Sequence, residues 1–263
     1  MLFGLTVMAV FVVLAVLAPL LPLPDPLAVN MGSRLRPPSF EAPFGTDPFG
    51  RDLLSRIVWG ARVSLSVGLV TVLIGCGVGV LVGLLAGYVG GRLDAVLMRT
   101  MDVVLAFPSL ILAMAIAAAL GPNLSNAILA VAVVTVPRYA RIVRGSVIAL
   151  KNVEFVEAAR ALGASPVRVA LRHLLTNSVG PIVVQATLGF GQALISVAGL
   201  SFIGLGAQPP TPEWGAIITE GRSYVLSGRW WLTVFPGLSI ALTVLSFNLV
   251  GDTLRDYLDP RTT

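Results

Sequence analysis

The sequence predicts an all-α, polytopic membrane protein of about six transmembrane helices. Three observations carry this. Of 263 residues, 56% are hydrophobic and only 12% charged, against about 25% charged in a soluble domain. Uncharged runs long enough to span a bilayer recur along the whole chain. The polar residues gather between those runs, with turn and capping residues among them.

Residues 1–24 form the first transmembrane helix. Met1 to Pro24 carries no charge and is long enough to span. It lacks the basic start and small-residue cleavage site of a signal peptide, so it reads as an uncleaved span. Pro24 and Pro26 end it. Residues 25–62 read as an extracytoplasmic loop with an interfacial helix. Asp52 and Arg56 are spaced to pair along that helix, and Trp59 suits headgroup depth.

Residues 63–263 form the core, with five helices. No charge occurs between Arg62 and Arg92, where Gly75, Gly79, Gly83, Gly87 and Gly91 recur every four residues. Such a ladder lets another helix approach closely. It predicts a packing seam, within the subunit or against a partner; plain glycine enrichment of membrane helices is the other reading. Val103 to Pro137 is too long for one span. Gly121-Pro122-Asn123 divides it, and Pro108 and Pro137 are expected to kink helices. Arg138, Arg141, Arg144 and Lys151 follow at the exit of the fourth span.

Residues 152–176 are polar and read as two short helices with a corner. Asn152 is placed to cap the first helix, and Glu154 and Glu157 suit its N-terminal dipole. Ala158, Ala159 and Ala161 are helix formers of small bulk. Gly163 falls where a helix ends with φ > 0. Ser165 caps the second helix, and Pro166 takes its first position. Arg168, Arg172 and His173 lie toward its basic end. This pattern suits docking into another protein's groove; the alternative is a solvated linker between spans.

The fifth span covers Val179 to Ile203, and the last runs from Trp230 to Gly251. Between them, Gln208, Pro209, Pro210, Glu213 and Trp214 suggest an external re-entrant or capping loop, with Trp214 at the interface. Asp252, Arg255, Asp256, Asp259 and Arg261 form a polar tail.

Several functions are excluded or disfavoured. Nucleic acid is not an expected partner, since no basic stripe with interleaved aromatics occurs. Cys76 is the only cysteine, and His173 the only histidine. No intrachain disulfide or zinc framework can form, and Cys76 reads as a packing residue. No Gly-x4-Gly-Lys-Ser/Thr loop is present, so ATP must be bound elsewhere. Gly199-Leu200-Ser201 superficially resembles the motif of intramembrane serine proteases, but its would-be base His173 belongs to the opposite side of the membrane. An ion-coupled transporter or channel normally places an acid within the membrane; here Asp94, Asp102, Glu154, Glu157 and Asp252 hug span ends.

Glu157-Ala158-Ala159-Arg160-Ala161-Leu162-Gly163 resembles the EAA–Gly loop of permease subunits in binding-protein-dependent ABC importers. The family pattern continues with a hydrophobic-Leu-Pro segment, and Thr176 stands here in place of the proline. A second series is more specific. Gly45-Thr46-Asp47, Gly50-Arg51-Asp52, Ser55-Arg56 and Gly60-Ala61-Arg62, with the 199–215 segment and the tail, resemble the dipeptide/oligopeptide/nickel branch. Its dipeptide permeases are nearest. The resemblance runs from about Phe44 to the C-terminus. It implies the type I importer permease architecture and a docking role for Glu157, Ala158, Ala159, Arg160, Leu162, Gly163 and Ser165. It also implies a homologous second permease chain, two ATPase domains that hold ATP and Mg, and an extracytoplasmic solute-binding protein. This chain is then no enzyme and binds no cofactor. Dipeptides are the implied substrate, with nickel chelates, haem and oligopeptides as alternatives. The setting is a bacterial or archaeal plasma membrane. With the docking loop inside, eleven of the 18 basic residues are cytoplasmic, as are both termini.

Overall fold

The computed structural model describes residues 2–258. The described residues form ten α-helices and four other helical segments, joined by loops. Five helices are long and apolar enough to cross a membrane, and a broken pair can make a sixth span.

α1 (Leu2–Leu17) runs into a short turn at Ala18–Leu20. α2 (Leu53–Val89) is one unbroken helix of 37 residues. At ~1.5 Å per residue it is longer than the roughly 30 Å hydrocarbon layer. The expected interfacial helix is therefore the first part of α2, continuous through residues 62 and 63. Asp52 caps it, accepting from Ser55 N–H at 2.7 Å. That use of the carboxylate replaces the expected Asp52–Arg56 pair, because Arg56 turns toward other acids.

α3 (Gly91–Leu105) and α4 (Ser109–Leu120) meet at a 91° bend. Pro108 stands at the bend and has no N–H to continue α3. Gly121 (φ 93°) then turns the chain, and the Asn123 side chain caps α5 (Leu124–Leu150) at Ser125 N–H, 2.8 Å. Arg138 lies near the middle of α5, 14 residues from its start and 12 from its end.

α2 and α5 share the most extensive helix interface. The glycine ladder makes it, inside the subunit. A Cβ on Gly79 would stand 2.5 Å from Tyr139 Cβ and 2.8 Å from the Val136 carbonyl oxygen. One on Gly83 would stand 2.8 Å from Val143 Cβ, and one on Gly87 2.9 Å from Val147 Cβ. Gly75 abuts Thr135 and Ala132. Gly91 does not belong to the seam: it has φ 59° and open space around it, since α2 has ended.

α8 (Val179–Phe202) packs on α5 and α2, and α10 (Trp231–Leu258) packs on α8. Short α9 (Trp214–Gly221) lies across one end of α8 and α10. Three apolar clusters hold these elements. The middle one joins α2, α4, α5 and α8 through Val67, Ala117, Val131, Phe190 and Val197. A second, at the α9 end, gathers Leu53, Ile57, Leu194, Trp214 and Trp231. A third, at the opposite end, joins Leu84, Val143 and Val147 to the 152–176 segment.

Candidate functional site: a polar platform and a buried ion cluster

The 152–176 segment builds a small platform. α6 (Glu154–Ala161) begins after Val153, which offers no side-chain cap. The expected Asn152 cap is absent because Val153, not Asn152, occupies the N-cap position. Gly163 has φ 84°. There Gly163 N–H donates to the Arg160 carbonyl at 2.9 Å and Ala164 N–H to Ala159 at 3.0 Å. This pair of bonds is the Schellman closure that favours glycine. Ser165 Oγ then accepts from Arg168 N–H at 3.3 Å, with Pro166 at the first helical position of α7 (Pro166–Arg168). The helix widens to a π-turn over Val169–Leu175. Thr176 stays helical (φ −59°), so the segment feeds α8 without needing the family's proline.

Burial divides the segment into two faces. Val156, Val169 and Leu174 are fully buried beneath it, against Leu84, Val143 and Val147. Glu157, Ala158, Arg160 and Gly163 are exposed, and Ala159 is partly so. Leu162 is 89% exposed and Val167 66%. Phe155 and Leu171 are exposed as well. A rigid foundation thus presents apolar and charged groups together, the composition of a surface that another protein covers.

At the other end, the two distant motif segments meet. Asp47 Oδ1 accepts from Phe49 N–H at 2.7 Å and Arg51 N–H at 3.0 Å, closing a turn around Gly50 (φ 73°). A side chain at Gly50 would strike the Asn30 backbone. Asp47 also receives the guanidinium groups of Arg51 (2.5 Å) and Arg56. Both arginines continue to Glu220 on α9, Arg56 at 2.6 Å. All four side chains are at least about nine-tenths buried, and their formal charges cancel. Gly45 (φ 75°) and Thr46 complete the turn: Leu53 N–H donates to the Gly45 carbonyl, and Trp231 Nε1–H to that of Thr46 at 3.2 Å.

Trp214 is wholly buried, not at a lipid interface. Its Nε1–H donates to the Ile57 carbonyl at 3.0 Å and its backbone N–H to Ser64 Oγ at 3.2 Å. Close approach is possible because position 60 is glycine: a Cβ there would stand 2.9 Å from the Trp214 ring. Glu213 caps α9, accepting from Gly215 and Ala216 N–H at 3.0 and 2.9 Å. Burial pushes its carboxyl above the usual range, against the lowering effect of those amides and of the Ser201 and Ser64 hydroxyls. Gln208 Nε2 donates to the Gly204 and Gly206 carbonyls, both at 3.0 Å, while Pro209 and Pro210 are exposed.

Glu220 was not among the residues singled out from sequence. A signal existed: Glu213 and Glu220 are the only acids between Glu157 and Asp252, and Asp47 alone cannot balance two buried arginines. Ser201 serves structure, accepting from Ala207 N–H at 3.1 Å. His173 lies beside the Phe155 ring, in the segment before α8. The two therefore stand at opposite ends of α8, roughly 36 Å long, and form no catalytic pair. No group of three or more His, Cys, Asp or Glu among the described residues could hold a metal.

Comparison with known proteins agrees with this geometry. Residues 79–263 match the family of binding-protein-dependent transport system inner membrane components. A dipeptide transport system permease protein, DppC, of Alkalihalophilus pseudofirmus is 48% identical over 98% of this chain and 84% of its own length. A probable D,D-dipeptide transport system permease protein, DdpC, of Escherichia coli is 47% identical over 97% and 85%. A glutathione transport system permease protein, GsiD, of Shigella boydii is 50% identical over 85% and 74%. Among solved structures, an inward-facing MetNI methionine ABC transporter chain superposes with a TM-score of 0.63 at 20% identity, covering 79% of this chain and 98% of that one. That likeness shows the permease fold. The chain belongs to the inner-membrane permease family of binding-protein-dependent ABC import systems: a multi-pass transport component, not itself the catalyst.

Proposed function

We propose that this chain is one permease half of an ATP-driven importer of short peptides, and that residues 152–176 couple it to an ATPase. The exposed face of the 152–176 platform carries the coupling role. Leu162 and Val167 stand in the open while Val156 beneath them is sealed onto α2 and α5. A push on this face is transmitted to the two helices that share the most extensive interface. Glu157 and Arg160 supply the charged contacts, and Ala158, Ala159, Gly163 and Ser165 the shape.

The importer then comprises a homologous second permease chain, two ATPase domains holding ATP and Mg, and an extracytoplasmic binding protein. Closing of the ATPase dimer moves the platform, and the spans alternate between inward-open and outward-open states. The glycine seam of α2 and α5 moves as a unit. The Asp47–Arg51–Arg56–Glu220 cluster and the Gln208–Trp214 segment brace the extracytoplasmic end, where the binding protein docks. Orientation rests on charge: ten of the 17 basic residues among the described ones fall on the platform side, and Arg51 and Arg56 on the other side are neutralised. Both termini are then cytoplasmic.

Peptide as substrate is supported by relatives whose names specify dipeptides and which match nearly the whole chain. The test is uptake into proteoliposomes bearing the whole importer. ATP-dependent accumulation of a labelled dipeptide, presented by the binding protein, is expected. Accumulation only of a nickel chelate, haem or a longer peptide reassigns the substrate. Ion flux through this chain alone would make it a channel and end the proposal.

A further inference from the structure

A small polar cleft lies apart from both the platform and the buried ion cluster. Ser109 of α4, Thr135 and Arg138 of α5, and Gln192 and Ser196 of α8 line it among apolar neighbours. Its depth follows from the charged layer on α3. Asp94 pairs with Arg144 and Asp102 with Arg141, which marks a polar boundary on the platform side. Arg138 stands three residues inside Arg141, about 4.5 Å along α5. Gly189 of α8 abuts the Tyr139 hydroxyl. Gln192 and Ser196 follow Gly189 toward the α9 end, so they reach deeper into the apolar layer.

Two of the hydroxyls are satisfied within their own helices: Thr135 donates to the Ala132 carbonyl and Ser196 to that of Gln192, both at 2.8 Å. Arg138 and Gln192 are not so placed. The Arg138 side chain is exposed and has no hydrogen bond or ion pair among the described residues. The Gln192 amide makes one long contact, 3.5 Å to Ser196 Oγ. α4, α5 and α8 carry no acid at all. Leu110 and Ile195 are exposed on either side, so nothing in this chain covers the face. An ionised side chain inside an apolar layer is costly unless it meets water or an anion.

We infer that Arg138, with Gln192 beside it, is a specificity-determining station on the exit side of the transport route, which receives the C-terminal carboxylate of the travelling peptide. This rests on the peptide reading above. A guanidinium offers a carboxylate two parallel N–H donors, and a glutamine amide adds a third. Every free peptide has that carboxylate whatever its side chains, so one arginine serves varied sequences. The cleft itself, about 20 Å³, has room for about one water-sized group, so a carboxylate meets Arg138 at its open side and a whole peptide cannot enter. Its open side keeps the contact weak enough for release.

The complete importer in proteoliposomes tests this, with labelled dipeptide as the probe and Arg138→Gln, Arg138→Lys and Gln192→Leu as variants. Arg138→Gln is expected to lower uptake about tenfold or more, the scale of a charge-assisted hydrogen bond. Subunit co-purification and hydrolysis stimulated by loaded binding protein stay parental. Arg138→Lys keeps the charge but loses the two-pronged contact, so it restores uptake only in part, and Gln192→Leu loses a few-fold. Parental uptake by Arg138→Gln overturns the inference. Loss of the partner permease from Arg138→Gln preparations also overturns it, by assigning the arginine to an acid of that chain. A fall in stimulated hydrolysis in step with uptake does so too, by moving Arg138 into coupling. If the unsubstituted importer takes up no dipeptide, the peptide reading itself fails; parental dipeptide uptake with an indifferent Arg138 removes only this station.

Discussion

Arg56 of α2 donates to Glu220 of α9 at 2.6 Å, across 164 positions of sequence, with the arginine side chain wholly buried. The same guanidinium meets Asp47. One arginine therefore fastens the loop before α2 to the helix that crosses α8 and α10. Removing one partner from a buried ionic group leaves an uncompensated charge, at a cost of about 3–5 kcal/mol. Glu220→Gln should lower the thermal unfolding midpoint of the purified complex clearly. The double change Arg56→Met with Glu220→Leu should be milder, since it leaves Asp47 and Arg51 as a matched pair. Equal midpoints for Glu220→Gln and the parent would show that the cluster holds nothing together.

The α2–α5 seam gives a steric prediction. Gly79→Leu and Gly83→Leu place side chains into Tyr139 and Val143, and overpacking costs roughly 1–3 kcal/mol. Both should reduce assembled complex recovered from membranes. Leu81→Ile should not, because Leu81 is 61% exposed. Three variants that assemble and transport alike would reduce the ladder to composition.

Cys76 reports on membrane placement. It is half-buried against the central cluster, within α2. Membrane-impermeant thiol reagents should fail to label it from either side of the assembled complex. Ready labelling from outside, without detergent, would mean that α2 is misplaced in the bilayer.

Glu213 gives a pH signature. Burial raises its carboxyl above the ordinary value of 4.5. The folded state therefore holds the proton at pH values where the unfolded chain has released it. By linkage, stability falls as pH rises through the window above 4.5, and this contribution levels off once the folded carboxyl has ionised. Glu213→Gln cannot titrate, so its unfolding midpoint should lack that slope. Parallel pH profiles for the two proteins would show that Glu213 ionises in the fold as it does in the unfolded chain.

What the sequence made legible was local. The Gly163 turn and the Ser165 cap depend on residues within one turn, and both stand as read. The fifth span, read as Val179 to Ile203, is Val179–Phe202 because its bounds are set by apolar length alone. The expectations that failed depended on partners far away. Asp52 and Arg56 have the spacing of a helical pair, but Glu220 and Asp47 compete for the arginine and the Ser55 amide takes the carboxylate. Trp214 looked interfacial, yet Gly60 lets it sink against Ile57. Arg138 counted as a span exit; only the meeting of α4, α5 and α8 shows the cleft it lines.

The central claim is that residues 152–176 carry ATPase motion into the spans. The direct measurement is ATP hydrolysis stimulated by loaded binding protein, read with ATPase co-purification in the same membranes, for Glu157→Lys and Gly163→Val. Glu157 is exposed on the platform, and its reversal replaces attraction to a basic partner group with repulsion. Gly163 has φ 84°, where a β-branched residue is strained. Both variants should insert and still receive the binding protein, yet lose the ATPase or its stimulation. Arg222→Ala, at the far end, should keep both. If both platform variants retain their ATPase and hydrolyse ATP with normal stimulation, the segment is only a linker and the coupling site lies elsewhere.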